Sequence, residues 1–287
     1  NIINLAGSTF SSENPSDSMK GTLMKNIVLD KEILYKSNTY NTGLQYFSEN
    51  MEELLSKIKK SNVPVFISDL CSNVKDLEPF CSTATDSFPP ASEVYSDAKI
   101  SEQQSDMEDA YILYNYARDL DCIRFRAPGE INNIIKDIAK KYDAYFIPLK
   151  TDYFETVSAN RLVGNNLMTE HVHPNIEGHF LMAEAFFNEV TASGILGELN
   201  PIFYKSSAYY KRNWGYTELD SLVAVHIVEL LKTNLPFQSP ESTSAEYRRN
   251  YIPSNFVDSL AFSIAAMANI TIEDGHILLA EEFVQNG

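Results

Sequence analysis

The sequence predicts an α/β fold with a parallel sheet, followed by a smaller all-α segment. Two short apolar runs, at residues 63–67 and 144–149, have the composition of buried parallel strands. Each run follows an amphipathic helical pattern, which is half of a βαβ unit. Beyond Asn200 helical periodicity dominates. We therefore expect residues 1–195 to form one domain and residues 196–287 a helical segment.

Composition indicates a globular protein with an acidic surface. Hydrophobic residues make up 44% of the chain and charged residues 22%, which supports a substantial core and argues against disorder. The 39 acidic and 23 basic side chains give a net charge of −16. Such a surface repels phosphate backbones and anionic headgroups, so we expect no nucleic-acid partner. No apolar run is long enough to span a bilayer.

The first elements are a short strand and two helices. Residues 2–5 are apolar and partly β-branched, and they lead into a Gly-Ser turn at Ser8. A serine nucleophile can occupy such a turn, but the signal is weak, and we favour an ordinary turn or a truncated strand end. Residues 23–34 and 44–58 then carry helical stripes, and Asn41 or Thr42 can cap the second helix.

Polar residues follow the first apolar run, where ligands collect outside the carboxyl ends of parallel strands. These candidate cleft residues are Asp69, Ser72, Asn73, Lys75 and Asp76. The alternative is that they anchor a turn.

A long helical pattern over residues 91–120 predicts one or two helices, and Arg124 and Arg126 come soon after it. The two arginines share one side of an extended segment. They could clamp an anionic substrate or pair with Asp119 and Asp121, and we favour the ion pairs. Another helix, at residues 131–138, precedes the second apolar run.

Three cysteines, Cys71, Cys81 and Cys122, lack metal-ligand spacing, and an odd number cannot all be disulfide-bonded within one chain. We interpret them as small buried hydrophobic residues.

The chemistry of the chain is concentrated in residues 164–179, which hold three of its five histidines. A histidine that acts as a general base needs one ring nitrogen held by a carboxylate or carbonyl. Glu170, three positions before His173, can fold back to it on a turn entering a helix. Pro174 suits the first position of that helix. We expect Glu170 to orient His173, with His171 and His179 in supporting or surface positions.

Two other interpretations of this stretch stay open. His171 and His173 could bind a metal ion with Glu170 or His179, although no fourth ligand stands at a familiar spacing. The histidines could instead cap the helix and face solvent. We expect no metal and no other cofactor. His226, inside an apolar helical run, is expected to be a core or boundary histidine.

Four blocks of the sequence carry a family resemblance. They are GTLM at 21–24, SNVKD at 72–76, DLD with RFRAP at 119–128, and EHVHPN at 170–175, the last followed by Gly178. In this order they resemble the SGNH (GDSL-type) hydrolase superfamily, and more narrowly a bacterial group that carries tetratricopeptide repeats.

The resemblance implies a three-layer α/β/α fold with a flavodoxin-like parallel sheet. It also implies ester hydrolysis or acyl transfer through a serine nucleophile, with His173 as general base and Glu170 as its orienting residue. Glu170 stands where the superfamily usually has Asp. The family's Gly-Asp-Ser nucleophile block and Gly-x-Asn oxyanion block have no convincing copy here, so Ser8 is only a candidate nucleophile.

The remaining candidates are cleft or supporting residues: His171, Asn73, Ser72, Arg124 and Arg126. The leading hypothesis is a serine ester hydrolase acting on a small-molecule or carbohydrate acyl ester. The alternative is a catalytically silent SGNH-like module that binds partners beside helical repeats, with residues 196–287 as the bridge and a possible protein partner on those helices. The sequence looks like a fragment of a longer protein, and relatives suggest an extracytoplasmic or membrane-anchored one.

Overall fold

In the computed structural model of this chain, helices make up 61% of the described residues. The structure describes residues 32–198, 200, 202, 204–233, 237, 243–267 and 269–286. The described α-helices are α1 (Asn38–Lys60), α2 (Ala91–Gln103), α3 (Met107–Leu120), α4 (Gly129–Tyr142), α5 (Glu155–Val157), α6 (Ile176–Ala192), α7 (Ser207–Asn213), α8 (Glu218–Lys232), α9 (Ser244–Asn250), α10 (Phe256–Phe262) and α11 (Ile272–Asn286). π-Helical turns span Leu149–Phe154 and Ser263–Met267, and a 3₁₀ turn spans Ala159–Arg161.

The sheet has two strands, β1 (Phe66–Ser68) and β2 (Tyr145–Ile147), within the described residues. They pair in parallel, and Ile67 lies opposite Phe146. Both strands fall within or beside the predicted apolar runs, so their positions and parallel pairing agree with the expectation from sequence. Their carboxyl ends lie at the same edge of the sheet, and Asp69 N donates to Ile147 O there at 3.3 Å.

The predicted three-layer α/β/α, flavodoxin-like fold is wrong, because the described chain is mostly helical and has only these two three-residue strands. The physical reason is the way in which the helices between the two strands pack. Helices α2 and α3 pack on each other and bury their own cluster, which includes Ala98, Ala110 and Tyr114. They therefore do not cover a wide sheet from one side, as a layered fold requires.

Polar capping residues set where two of the helices begin. Ser37 caps α1, its Oγ accepting from Tyr40 N at 3.2 Å, so this helix begins before the predicted caps Asn41 and Thr42. The long helical pattern at residues 91–120 resolves into α2 and α3, with Asp106 capping the second.

A second buried cluster surrounds the sheet and supports the histidine stretch. It joins the strands, the segment after them and α6, and its members are Ile147, Leu149, Phe154, Val163, Leu167, Met168 and Ala185.

Helices α8, α10 and α11 share a third cluster around Leu219, Val223 and Leu260. Buried His226 bonds Tyr247 (2.7 Å) and Asp258 (2.9 Å) in this part of the chain, as a satisfied core histidine. None of the described helices combines the length and apolar character that a membrane span needs. The predicted strand at 2–5, Ser8, the GTLM block and most of the helical stripe at 23–34 lie outside the described residues.

Candidate active site

A short hairpin carries the histidine stretch. Met168 and Pro174 form an antiparallel bridge, and Thr169 N donates to His173 O at 2.8 Å. Asn175 N donates to Leu167 O at 2.9 Å and closes the base of the hairpin. Pro174 therefore lies in the hairpin, where its lack of an N–H costs nothing, and not at the first position of α6 as predicted. Asn175 caps α6, its Oδ1 accepting from Gly178 N at 3.0 Å.

Glu170 holds the tip of this hairpin. Its Oε1 accepts a hydrogen bond from His173 N at 2.7 Å and also contacts Nδ1 of the His173 ring. Glu170 is buried, whereas the side chain of His173 is 76% exposed. The structure thus brings together the predicted pair: a buried carboxylate against Nδ1, with the rest of the imidazole open to solvent.

The second oxygen of the same carboxylate, Oε2, lies against Nδ1 of His171. His171 is buried, and its ring packs edge-on against Phe80, Phe125 and Phe237 at centroid distances of 5.6, 5.8 and 5.3 Å. Burial, followed by the charge of His173 and then that of Arg126, lowers the pKa of His171 to about 4. His171 is therefore neutral at pH 7.

Asn73 connects this hairpin to the segment after β1. It is almost fully buried, and its N–H donates to His171 O at 2.9 Å. Its side chain donates to Asn165 Oδ1 at 2.9 Å and accepts from Asp76 N at 2.9 Å. Asn73 thus supports the backbone behind the histidines, while Ser72 beside it is also buried.

The Arg126 side chain is a structural group and does not face a cleft. It is 2% exposed, pairs with Asp121 at 3.0 Å, and donates to the carbonyl oxygens of Asn73 and Leu77 at 2.9 Å. Asp121 in turn accepts from Phe80 N at 3.0 Å, which places the ring that packs on His171.

Arg124 also has a structural place. Its Nε donates to Ile33 O at 3.0 Å, and its guanidinium lies 4.8 Å from the centre of the Tyr40 ring. Its Nη1 donates to the backbone carbonyl oxygen of Asp119. The Asp119 carboxylate pairs with Arg118 and not, as predicted, with Arg124.

Cys81 and Cys122 form a disulfide, so the interpretation of all three cysteines as small buried hydrophobic residues is wrong for this pair. The two cysteines lie 41 positions apart, and their spacing does not show that the fold brings them together. The bond ties Cys81, the residue after Phe80, to the segment that follows α3. Phe80 is one of the rings that pack on His171. The third cysteine, Cys71, is free, and burial raises the pKa of its thiol well above the usual range. A thiolate nucleophile at the carboxyl end of β1 is therefore disfavoured.

The metal interpretation finds no support in the ligand geometry of the described residues. There, the atoms that approach closely enough to share an ion belong to Glu32, Cys81 and Cys122, and both of these sulfurs are in the disulfide. His179 lies on the first turn of α6, exposed and outside the contacts of Glu170.

Asp76, one of the predicted cleft residues, contacts the start of the histidine stretch. Asp76 accepts from Asn165 N at 2.7 Å, and a Cβ at Gly164 would overlap the Asp76 carboxylate. The glycine is thus needed for this close approach. The sequence does not show this contact, because Asn165 and Asp76 lie 89 positions apart in the chain.

No protein-family model, no curated protein and no solved structure matches this chain.

Proposed function

We propose that this protein is a serine ester hydrolase in which His173 is the general base and Glu170 orients it. The observation that carries the proposal is the contact of the buried Glu170 carboxylate with Nδ1 of an imidazole whose side chain is 76% exposed. With Nδ1 held by a carboxylate, the unprotonated Nε2 is free to accept a hydroxyl proton. The same carboxylate then stabilises the imidazolium that forms.

The surroundings of the pair support this chemistry. The hairpin is tied through Asn73 to the segment that leaves the carboxyl end of β1, the edge at which parallel sheets bind ligands. The rings of Phe80, Phe125 and Phe237 pack on His171. The buried Asp121–Arg126 pair holds Phe80 through its backbone N–H. These contacts keep the hairpin in place, as a positioned base requires. The Cys81–Cys122 disulfide supports a place for the reaction in an oxidising compartment, in line with the resemblance.

The proposed mechanism requires a serine nucleophile. In the part of the chain that the structure describes, no serine hydroxyl bonds the ring of His173. Ser8, the candidate from sequence, lies outside that part. The serine oxygen should attack the ester carbonyl carbon as its hydroxyl proton passes to Nε2 of His173. The C–O bond to the alcohol then breaks, and the imidazolium gives that proton to the departing alcohol, which leaves the acyl-enzyme. Water should then hydrolyse the acyl-enzyme with the same histidine as base.

Fluorophosphonate labelling of the full-length protein tests the proposal, together with p-nitrophenyl acetate hydrolysis. We expect wild type to be labelled on one serine, which peptide mass spectrometry identifies. His173→Ala should slow labelling and hydrolysis by roughly 100-fold or more, the usual contribution of a positioned base. Glu170→Gln should also slow both, because it removes the charge that stabilises the imidazolium.

His276→Ala is the matched control. His276 also pairs with a carboxylate, Asp220, at 3.1 Å, but it lies on α11, away from the hairpin. This variant should keep the wild-type rates. Absence of labelling in wild type, or hydrolysis that His173→Ala leaves unchanged, would reject the esterase and support the silent binding module instead.

A further inference from the structure

A groove of about 800 Å³ lies beside the hairpin that carries His173. One side is built by the hairpin and the start of α6, and the other by α8 and the segment before it. The groove is lined by Asn165, Met168, Ile176, Trp214, Val225 and Val228, among others. Its size is typical of small-molecule sites, which usually measure about 300–1,000 Å³.

Several polar side chains that line the groove, among them Glu177, already have partners within the protein. Asn175 donates to Asn165 O at 3.0 Å, and its Oδ1 caps α6. Thr169 Oγ1 donates to Pro174 O at 3.3 Å. At the far end Lys232 pairs with Glu229 at 3.0 Å. Exposed His179 also lines the groove, but most of the groove's open surface is carbon, from side chains such as Val225, Val228 and Trp214.

The groove borders the hairpin that carries the candidate active site, although His173 and Glu170 themselves do not line it. Thr169 and Pro174, which flank the hairpin tip, both line it. A chain bound in the groove would therefore lie alongside the element that presents the base. Val225 is 50% exposed and Trp214 45% exposed, so apolar surface is left open there in the free protein.

We propose that this groove binds the acyl chain of the substrate, so that the substrates are esters of apolar, medium-length carboxylic acids. The identification of the bound chain as part of a substrate rests on the proposed esterase function. Binding in the groove does not require catalysis. Apolar burial favours longer chains until the groove is filled, and affinity should then level off.

Trp214 allows binding to be measured without turnover, because it is the one tryptophan of the chain. The probes are neutral 1-alkanols from butanol to decanol, which carry no ester bond. We expect each added methylene to tighten binding by about threefold to fourfold, reported by Trp214 fluorescence. In parallel, kcat/KM for p-nitrophenyl esters should rise with acyl length by a similar factor per carbon.

Two substitutions on one helix separate the groove from general surface effects. Val225→Asp places a charge in the groove and should weaken decanol binding by roughly tenfold or more. Ile227→Asp, on the same helix and 45% exposed but outside the groove, should leave the affinity unchanged. Equal effects of the two substitutions would overturn the proposal.

A neighbouring apolar groove of about 450 Å³ also includes Trp214, and Phe187 lines it on the other side. If Phe187→Asp abolishes the fluorescence response and Val225→Asp does not, decanol binds there and the proposal is overturned.

The two proposals fail in different ways. Alkanol binding that Val225→Asp weakens, in a protein that fluorophosphonate does not label, supports the groove as an apolar-chain site and rejects the esterase. Labelling and hydrolysis that do not depend on acyl length, with no alkanol binding, reject the groove and leave the esterase standing.

Discussion

The carboxylate of Glu170 meets three groups at once: the backbone N–H of His173, the Nδ1 of its ring and the Nδ1 of His171. The spacing of Glu170 and His173 predicted the contact with the His173 ring, because three residues on a turn bring a side chain back on itself. The third contact could not be predicted. The burial of His171 depends on Phe80 and Phe125, which lie far away in the sequence.

The low pKa of His171 makes stability depend on pH. The unfolded chain should titrate this group near pH 6.5, whereas the folded protein holds it neutral down to about pH 4. Because the unfolded state binds the proton first, stability is lost as pH falls from 6.5 to 4. We expect a loss of about 2 to 3 kcal/mol in the free energy of unfolding from this group, measured by urea denaturation at pH 7 and pH 4.

His171→Gln provides the comparison, since it keeps a polar side chain that does not titrate. The variant should be less stable at pH 7, but its loss between pH 7 and pH 4 should be smaller by that amount. An equal pH dependence in both proteins would show that His171 does not titrate in this range.

The hairpin and α6 form the element on which the site depends, and a glycine fixes how closely they approach. A Cβ at Gly178 would lie 2.8 Å from the Cβ of Pro174 and closer still to the carbonyl oxygen of Leu167. Sequence placed the helix after the histidines correctly but put Pro174 at its first position. The polar cap Asn175 decided the boundary instead.

Gly178→Ala should therefore destabilise the protein, by about 1 to 3 kcal/mol for an overpacked contact that includes backbone. Gly43→Ala is the matched control, because Gly43 lies within α1 and a Cβ there meets nothing within 4 Å. That change should stabilise the protein by about 0.5 to 1 kcal/mol, the helix preference of Ala over Gly. Thermal unfolding measures both. Effects of the same sign would contradict this account of the hairpin–helix contact.

At the scale of the whole molecule, local patterns located the elements but not the architecture. The two apolar runs predicted β1 and β2, and helical periodicity predicted α1 to α4 and the helical region after Asn200. The step from two strands to a layered sheet was an extrapolation from the resemblance, and the described chain does not follow it. Helical stripes show that a face is buried, but not whether it packs on a sheet or on another helix.

Long-range pairs were the other information that the sequence did not hold. The Cys81–Cys122 disulfide spans 41 positions, and the Asn73–Asn165 bond joins segments 92 positions apart. The first holds the residue after Phe80, which packs on His171, and the second joins Asn73 to the start of the histidine stretch. These supports of the candidate site are therefore visible only in three dimensions. The pair at the tip of the hairpin was predictable because it is local.

The protonation state of the His173 ring tests the central claim most directly. Long-range ¹H–¹⁵N correlation spectra at neutral pH distinguish the two neutral tautomers of each histidine. We expect His173 to carry its proton on Nδ1, facing Glu170, and His276 on Nε2, facing Asp220. Glu170→Gln should weaken the preference at His173 alone. A His173 ring protonated on Nε2, or one that Glu170→Gln leaves unchanged, would contradict the assignment of His173 as a base held by Glu170.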